Sequence, residues 1–225
     1  MDSDRTRAKQ AAGQSAARAV EDGSVVGLGT GSTAAEAIGH LGERVDSGLD
    51  IRGVPTSYQS RRLARDAGIP LTTLADAVPD IAIDGADQAA GCDLVKGGGA
   101  AHAREKVVDA AADRLLVVID PTKLADRLDH PVPVEVLPDA RVPVETAVEE
   151  LGGEPTLRSA AQKDGPVVTD NGNLVLDCAF GPLDSPGALA TDLDGVPGVV
   201  AHGLFVGLAD ELHVGSPEGV DRRNC

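Results

Sequence analysis

Cysteine is scarce in this chain of 225 residues. Only Cys92, Cys178 and Cys225 occur, odd in number, far apart and without a CxxC spacing. That pattern argues against a disulfide framework and against a zinc site, and it favours a reducing interior. Long apolar runs are also missing: none approaches the ~18 residues of a membrane span. The N-terminal stretch "MDSDRTRAKQAAGQSAARAV" is polar and has no apolar signal core. A soluble, cytoplasmic protein that does not engage membranes is expected. Basic residues are outnumbered, with 20 Lys and Arg against 36 Asp and Glu and a net charge of -16. Such a surface repels phosphodiester backbones, so no nucleic-acid partner is expected, although a sugar phosphate can still be held in a local pocket. Lysine occurs only at 9, 96, 106, 123 and 163, and large aromatics are few. With the carboxylate excess, this composition fits a high-salt cytoplasm, where screening reduces self-repulsion among acidic side chains. It concerns solubility rather than activity.

The length allows one main domain with a small appended one, and burial of roughly 70% of the extended chain's surface removes any need for a stapling metal. An alanine-rich helix is expected from Arg5 to Asp22. "SVVGLGTGSTAAEAIGHL" reads as strand, glycine loop and helix, with Ser32 or Thr33 able to cap the helix. "LDIRGVPTSYQSRRLARDAGI" repeats the plan, and "DIAIDGADQ" and "RLLVVIDPTKL" add two buried-type strands. Alternation of this kind implies a Rossmann-like, doubly wound, mostly parallel α/β sheet. From Pro131 the grammar becomes βαββαβ: "VPVEV", a helix over 141–151, "EPTLRSA", a hairpin at "TDNGN", "LVLDCA", a helix over 186–193 and "GVVAHGLF". That is the order of a ferredoxin-like α+β lid. The expected division is 1–130 plus 207–225 for the α/β domain and 131–206 for the lid.

In an open parallel sheet, ligands bind beyond the carboxyl ends of the strands, so polar residues just after strands converge on one crevice. Thr30, Gly31, Ser32 and Thr33 follow the first strand, where backbone N–H groups at a helix start suit a phosphate. The loop matches neither GxGxxG nor a P-loop, so a tight structural turn is the plain alternative. Asp84, Gly85, Ala86 and Asp87 follow another strand. Their two carboxylates suit sugar hydroxyls better than a metal, because no further ligand spacing accompanies them; Asp87 could also simply cap a turn. Lys96 with Gly97, Gly98 and Gly99 makes a second cradle carrying a point charge.

Glu105 stands out on a different ground. On a helix begun near Ala100 it falls within about 40° of Ala101, at the border of an apolar stripe of Ala101, Val108, Ala111, Ala112 and Leu115. Its i+4 neighbour is Asp109 and its i−4 neighbour Ala101, so no basic residue offers the usual exposed helical pair. A partly enclosed carboxylate near Lys96 could serve as a general base; an ordinary exposed glutamate is the alternative. The five histidines show no metal-ligand spacing, and "TDNGN" is first a turn signal.

The segments "VGLGTGSTA", "GVPTSYQS", "IDGADQ", "KGGGAAHAREKVV", "PVPVEVLP", "TDNGNLVLD" and "GVVAHGLF" occur in an order and spacing similar to the type A family of ribose-5-phosphate isomerase, across almost the whole chain. The resemblance implies metal-free and cofactor-free interconversion of D-ribose 5-phosphate and D-ribulose 5-phosphate through an enediolate. It assigns proton transfer to Glu105, oxyanion stabilisation to Lys96 and ring opening or hydroxyl handling to Asp84. It places Thr30–Thr33, Asp84–Asp87, Lys96–Gly99, Lys123 and Lys9 around the substrate, and it implies a homodimer or homotetramer. Gln88 departs from the glutamate common there and is given no role; "PTK" departs from a commoner serine-lysine. The Lys9 match depends on a register that Gln10 could shift. Two rivals are a non-catalytic sugar-phosphate effector domain, for which the chain leaves no room for a helix-turn-helix before Arg5, and an amino-sugar-phosphate isomerase or deaminase.

Overall fold

The computed structural model describes residues 2–225. In chain order its elements begin α1 (Asp2–Ala17), β1 (Val25–Leu28), α2 (Ser32–Asp46), β2 (Arg52–Pro55), α3 (Tyr58–Asp66), β3 (Ile81–Gly85), β4 (Gln88–Ala90) and β5 (Asp93–Val95). They continue with α4 (His102–Ala111), β6 (Leu115–Ile119), β7 (Val132–Val136), α5 (Arg141–Glu150) and β8 (Glu154–Leu157). The chain closes through β9 (Leu174–Ala179), α6 (Pro186–Asp194), β10 (Val199–His202), β11 (Leu204–Phe205), β12 (Glu211–Ser216) and β13 (Gly219–Asn224). It divides into two compact units. One comprises the N-terminal stretch through Ala86, Arg104–Leu124 and Leu208–Cys225, and the other Asp87–Ala103 and Ala125–Gly207. The division expected from sequence differs chiefly at 87–103, which falls in the second unit.

The first unit is built on a six-stranded sheet of order β13-β12-β6-β3-β1-β2. All its pairings are parallel except that of β12 with the edge strand β13. β1, β3 and β6 are short apolar runs because both sheet faces are covered. Alternation then sorts the side chains: Val26, Leu28, Ile81, Ile83, Leu116 and Val118 pack with Ala12, Ala16, Ala37, Ile38, Leu41 and Ala64 of α1, α2 and α3. On the opposite face Val25 and Val54 meet Val108 of α4. Each fully buried leucine or isoleucine here contributes roughly 1.5–3 kcal/mol relative to exposure. The chain passes from β1 out to β2 and then back across to β3, so strand order reverses between β1 and β3. A crevice at the carboxyl edge is the geometric result.

In the second unit β7, β8, β9 and β10 form an antiparallel sheet of order β10-β7-β9-β8 with α5 and α6, following the βαββαβ order, and β11-β5-β4 make a small three-stranded sheet. Val132, Val134 and Val136 alternate into a core with Val144, Val148, Leu176, Cys178 and Leu193. Glu135 lies among them on β7 and is fully buried. Its Oε1 accepts from Thr169 Oγ1 at 2.9 Å, Asn171 Nδ2 at 3.0 Å and Asn173 Nδ2 at 2.8 Å. The "TDNGN" segment is a turn, with Gly172 at φ 85°, that carries the donors for this carboxylate.

Several local expectations are corrected. α1 stops at Ala17 rather than Asp22, because Arg44 takes the carbonyls of Ala17 and Val20 and turns the chain toward β1. Ser32 does not cap α2: the N-cap is Gly31, without a side-chain bond. α4 starts at His102 because Ala100, at φ 57°, is outside helical space, and Leu115 belongs to β6. "GVVAHGLF" divides at Gly203, whose N–H donates to Pro133 O at 2.7 Å while its carbonyl accepts from Lys96 N at 2.8 Å. Cys178 is a free buried thiol.

Candidate active site

In the first unit the turn after β1 is held by a buried carboxylate. Asp84, at the end of β3 and 1% exposed, accepts at Oδ1 from Thr30 N at 3.0 Å and from Gly85 N at 2.7 Å. This approach requires glycine at 29, since a Cβ there would sit 2.2 Å from Asp84 Oδ1 and 2.5 Å from Asp84 Cα. The Thr30 hydroxyl lies 2.8 Å from Thr56 Oγ1 and 2.7 Å from Ser57 Oγ, at the carboxyl end of β2. Gln59 Oε1 accepts from Gly31 N at 3.2 Å. Three strand ends thus converge on one polar loop. Thr56, Ser57 and Gln59 were not among the expected site residues, yet the same strand-end rule that singled out Thr30 and Asp84 applies to the first two.

Lys9 reaches the loop from α1: its Nζ donates to Ser32 Oγ at 2.8 Å. Ser32, freed from capping duty, presents its hydroxyl to this ammonium. Lys123 ends a short 3-10 turn, Pro121–Lys123, that follows β6. Asp120 fixes that turn by accepting from Thr122 N at 3.0 Å, and Arg5 Nε donates to its other oxygen at 3.2 Å. Burial pushes the Asp120 carboxyl up, but the bonds from Thr122 and Arg5 outweigh it and hold it below the ordinary 3.8. The turn therefore rests on a carboxylate that stays charged.

Glu105 is 4% exposed, more enclosed than its position at the edge of an apolar stripe suggested. It lies one turn before Val108 on the buried face of α4, while Val107 between them is 60% exposed. Val108 packs beside Gly27 of β1, and α4 leads into β6 at the amino edge of the sheet. The first turn of α4 therefore points to the carboxyl edge, where Thr30 and Asp84 also stand. A buried carboxylate there is suited to proton transfer.

In the second unit Lys96 follows β5 and is 2% exposed, its ammonium 5.3 Å from the centre of the Phe205 ring. That contact offers a buried cation a π face. Gly97 has φ 105°, and a Cβ on it would lie 2.7 Å from His102 Nδ1, so the turn after Lys96 admits only glycine. Gly98 N donates to Asp87 Oδ2 at 2.7 Å, which joins two of the expected site segments. Asp87 thus caps the glycine loop rather than its own turn. Gln88 accepts at Oε1 from Asp129 N at 2.8 Å and His130 N at 2.9 Å, a structural task that accounts for a residue left without one. Among the described residues no cluster of three or more His, Cys, Asp or Glu is arranged to hold a metal ion.

The model of the family described as ribose 5-phosphate isomerase A (phosphoriboisomerase A) matches residues 52–219. Ribose-5-phosphate isomerase A of the halophilic archaeon Natronomonas pharaonis is 71% identical over 215 residues, spanning 96% of each chain. The structure of ribose 5-phosphate isomerase A from Methanocaldococcus jannaschii superposes with a TM-score of 0.93 at 41% identity, covering 96% of this chain and 98% of that one. A structure of D-ribose-5-phosphate isomerase in complex with phospho-erythronic acid gives 0.94 at 40% identity, covering 96% and 97%. A buried carboxylate on α4, a loop of N–H groups after β1 and near end-to-end likeness to these enzymes lead to one assignment: the chain belongs to the ribose 5-phosphate isomerase A family.

Proposed function

We propose that the protein interconverts D-ribose 5-phosphate and D-ribulose 5-phosphate, the aldose-ketose isomerisation of the non-oxidative pentose phosphate pathway, with Glu105 as general base. The observation that carries the role is the enclosure of Glu105 on the inner face of α4, 4% exposed, at the sheet edge that also holds Thr30 and Asp84. In the open-chain aldose Glu105 takes the proton from C2, giving an enediolate, and returns it to C1, while the proton on O2 passes to O1 so that the carbonyl moves to C2. Removing a proton beside a carbonyl leaves negative charge on oxygen, and a fixed cation or donor lowers that barrier. Lys96 and the N–H groups of Gly97 and Gly99 are assigned this task, the Gly98 N–H being taken by Asp87. Asp84 is assigned either assistance to ring opening or the hold on the hydroxyl that gains and loses a proton, and Asp87 binds a substrate hydroxyl. The phosphate is assigned to Gly31, Ser32 and Thr33 with Lys9 and Lys123, a helix N-terminus supplemented by two ammonium groups. Likeness to the family supports a homodimer or homotetramer in the cytoplasm, which sedimentation in molar potassium chloride tests.

The experiment is ribulose 5-phosphate formation by wild type and Glu105→Gln in molar potassium chloride with a chelator present. The expected result is wild-type turnover that survives the chelator and a fall of roughly 100-fold or more in the variant. A folded but inactive wild type would support the effector-domain reading, and ammonia release from an amino sugar phosphate would support the deaminase. A fully active Glu105→Gln would remove Glu105 from the mechanism.

A further inference from the structure

We propose that Arg158, which follows β8, is a positioning residue for the glycine loop after Lys96. This rests on the isomerase reading above, in which that loop meets the substrate. The Arg158 side chain is only 16% exposed, and its planar fork is used on two sides. Nε donates to Asp177 Oδ2 of β9 at 2.9 Å, and Nη2 donates to Asp177 Oδ1. This bidentate pair fixes the plane of the guanidinium. Nη1 is then aimed at the loop, where it donates to Gly97 O at 2.8 Å and Gly98 O at 3.2 Å.

The orientation of two peptide groups follows. The peptides here are trans, so each C=O and the next N–H point to opposite sides. Turning the carbonyls of Gly97 and Gly98 toward Arg158 turns the N–H groups of Gly98 and Gly99 the other way. The first of these already donates to Asp87 Oδ2 at 2.7 Å. Arg158 thus presents the Gly99 donor and, through the Gly98 N–H, anchors the Asp87 carboxylate. Glycine supplies no side chain to hold such a loop, and Gly97 at φ 105° gains nothing from its own backbone preference over other conformers. The Ala100 N–H holds Gly97 O at 2.9 Å from within the turn; the cation adds a second donor there and reaches Gly98 O as well, so the Gly99 donor is in place before the oxyanion forms. A lysine keeps the charge but lacks the fork, so it cannot pair with Asp177 at two points and still direct a donor onto two consecutive carbonyls.

The test compares wild type, Arg158→Lys and Arg158→Ala as the whole protein in molar potassium chloride. It follows kcat and KM for ribose 5-phosphate, inhibition by phospho-erythronic acid and by inorganic phosphate, and thermal unfolding. Phospho-erythronic acid carries a carboxylate at the end where an enediolate carries its charge; inorganic phosphate does not. A positioning role predicts that Arg158→Lys loses roughly 10- to 100-fold in kcat while KM moves less than about 3-fold. Phospho-erythronic acid should weaken in step with kcat, and inorganic phosphate should inhibit as in wild type. Should Arg158→Ala unfold at the assay temperature, Arg158→Lys decides. Arg158→Lys with wild-type kcat would overturn the proposal, and so would equal weakening of both inhibitors, which marks general damage. In either case an active wild type leaves the isomerase reading standing; an inactive one removes that reading and this proposal together.

Discussion

Replacing Gly29 by alanine adds one methyl group at the tightest backbone approach in the loop after β1. The new Cβ would lie 2.2 Å from Asp84 Oδ1, 2.3 Å from its Cγ and 2.5 Å from its Cα. A side-chain end could rotate away, but the Cα of Asp84 is fixed in β3, where it stands in register with Val117 of β6. The loop must therefore move, and overpacking of this kind costs about 1–3 kcal/mol. The movement also breaks the 3.0 Å bond from Thr30 N to Asp84 Oδ1. A hydrogen bond to a charged group is worth about 1.5–3 kcal/mol, so the total is roughly 2.5–6 kcal/mol. For a chain of this size each kcal/mol lowers the melting temperature by about 2–4 °C, giving a fall of roughly 5–24 °C. Displacement of the loop should also lower kcat/KM for ribose 5-phosphate by about 100-fold. Gly31→Ala is the control. Gly31 has φ 108° and ψ 175°, yet no atom lies within 4 Å of a Cβ built there, so that variant carries only backbone strain, about 1–3 kcal/mol. The assay is calorimetry and steady-state kinetics in molar potassium chloride. Gly29→Ala melting within about 2 °C of wild type with unchanged kinetics would refute the claim that the Asp84 backbone cannot yield.

Stability should fall as pH drops below about 6.5, because burial pushes the fully buried His213 imidazole down from its ordinary 6.5 despite the nearby Glu211 carboxylate. The unfolded chain then binds a proton that the folded chain refuses, at a cost of up to about 1.4 kcal/mol per pH unit. Glu211 is held below its ordinary 4.5, chiefly by Arg222, so its own contribution is lost only as pH falls through the region of 4.5 and below. Denaturant unfolding at several pH values should show the slope below 6.5 in wild type and its absence in His213→Gln; equal slopes would refute the assignment. Burial first, then the Asp177 and Glu145 carboxylates, pushes the Cys178 thiol up to about 12. Iodoacetamide at pH 8 should leave Cys178 unmodified in the native protein and label it once unfolded, as mapped by mass spectrometry; native labelling at a free-thiol rate would contradict the burial argument.

The parallel sheet was legible because β1, β3 and β6 are apolar runs that stop abruptly at glycine or polar residues, a pattern that buried strands impose on any sequence. β4 and β5 carried no such mark: "QAA" and "DLV" are three residues each and pair only with one another and with β11. β13, "GVDRRN", is an exposed edge whose charges conceal its strand character. Glu105 could be singled out because a carboxylate beside an apolar stripe, with Ala101 and Asp109 at i−4 and i+4 where a basic residue is usual, is anomalous. Arg158 could not. Its partners in the glycine loop are main-chain carbonyls about 60 positions away in sequence, and carbonyls leave no trace in residue identity. Ser32 was misread for a related reason: its true partner, Lys9, lies 23 positions earlier, on another helix.

The six-stranded sheet has a consequence for how the protein is made. β12 supplies the parallel neighbour of β6, and the Asp210 carboxylate accepts from Leu115 N across 95 positions of chain. His213 on the same strand reaches Ser15 of α1, 198 positions earlier. During synthesis from the amino end, β1, β3 and β6 leave the ribosome long before their outer neighbour, so β6 stands for that interval as an apolar edge. Its sheet closes only when residues 208–225 arrive. The second unit's four-stranded sheet, by contrast, draws all its strands from 132–202 and can be complete sooner. Long-range parallel pairing is slow to form and exposed to aggregation while it waits. Completion of the unit that carries Glu105 therefore waits on strands made after every strand of the second unit's sheet.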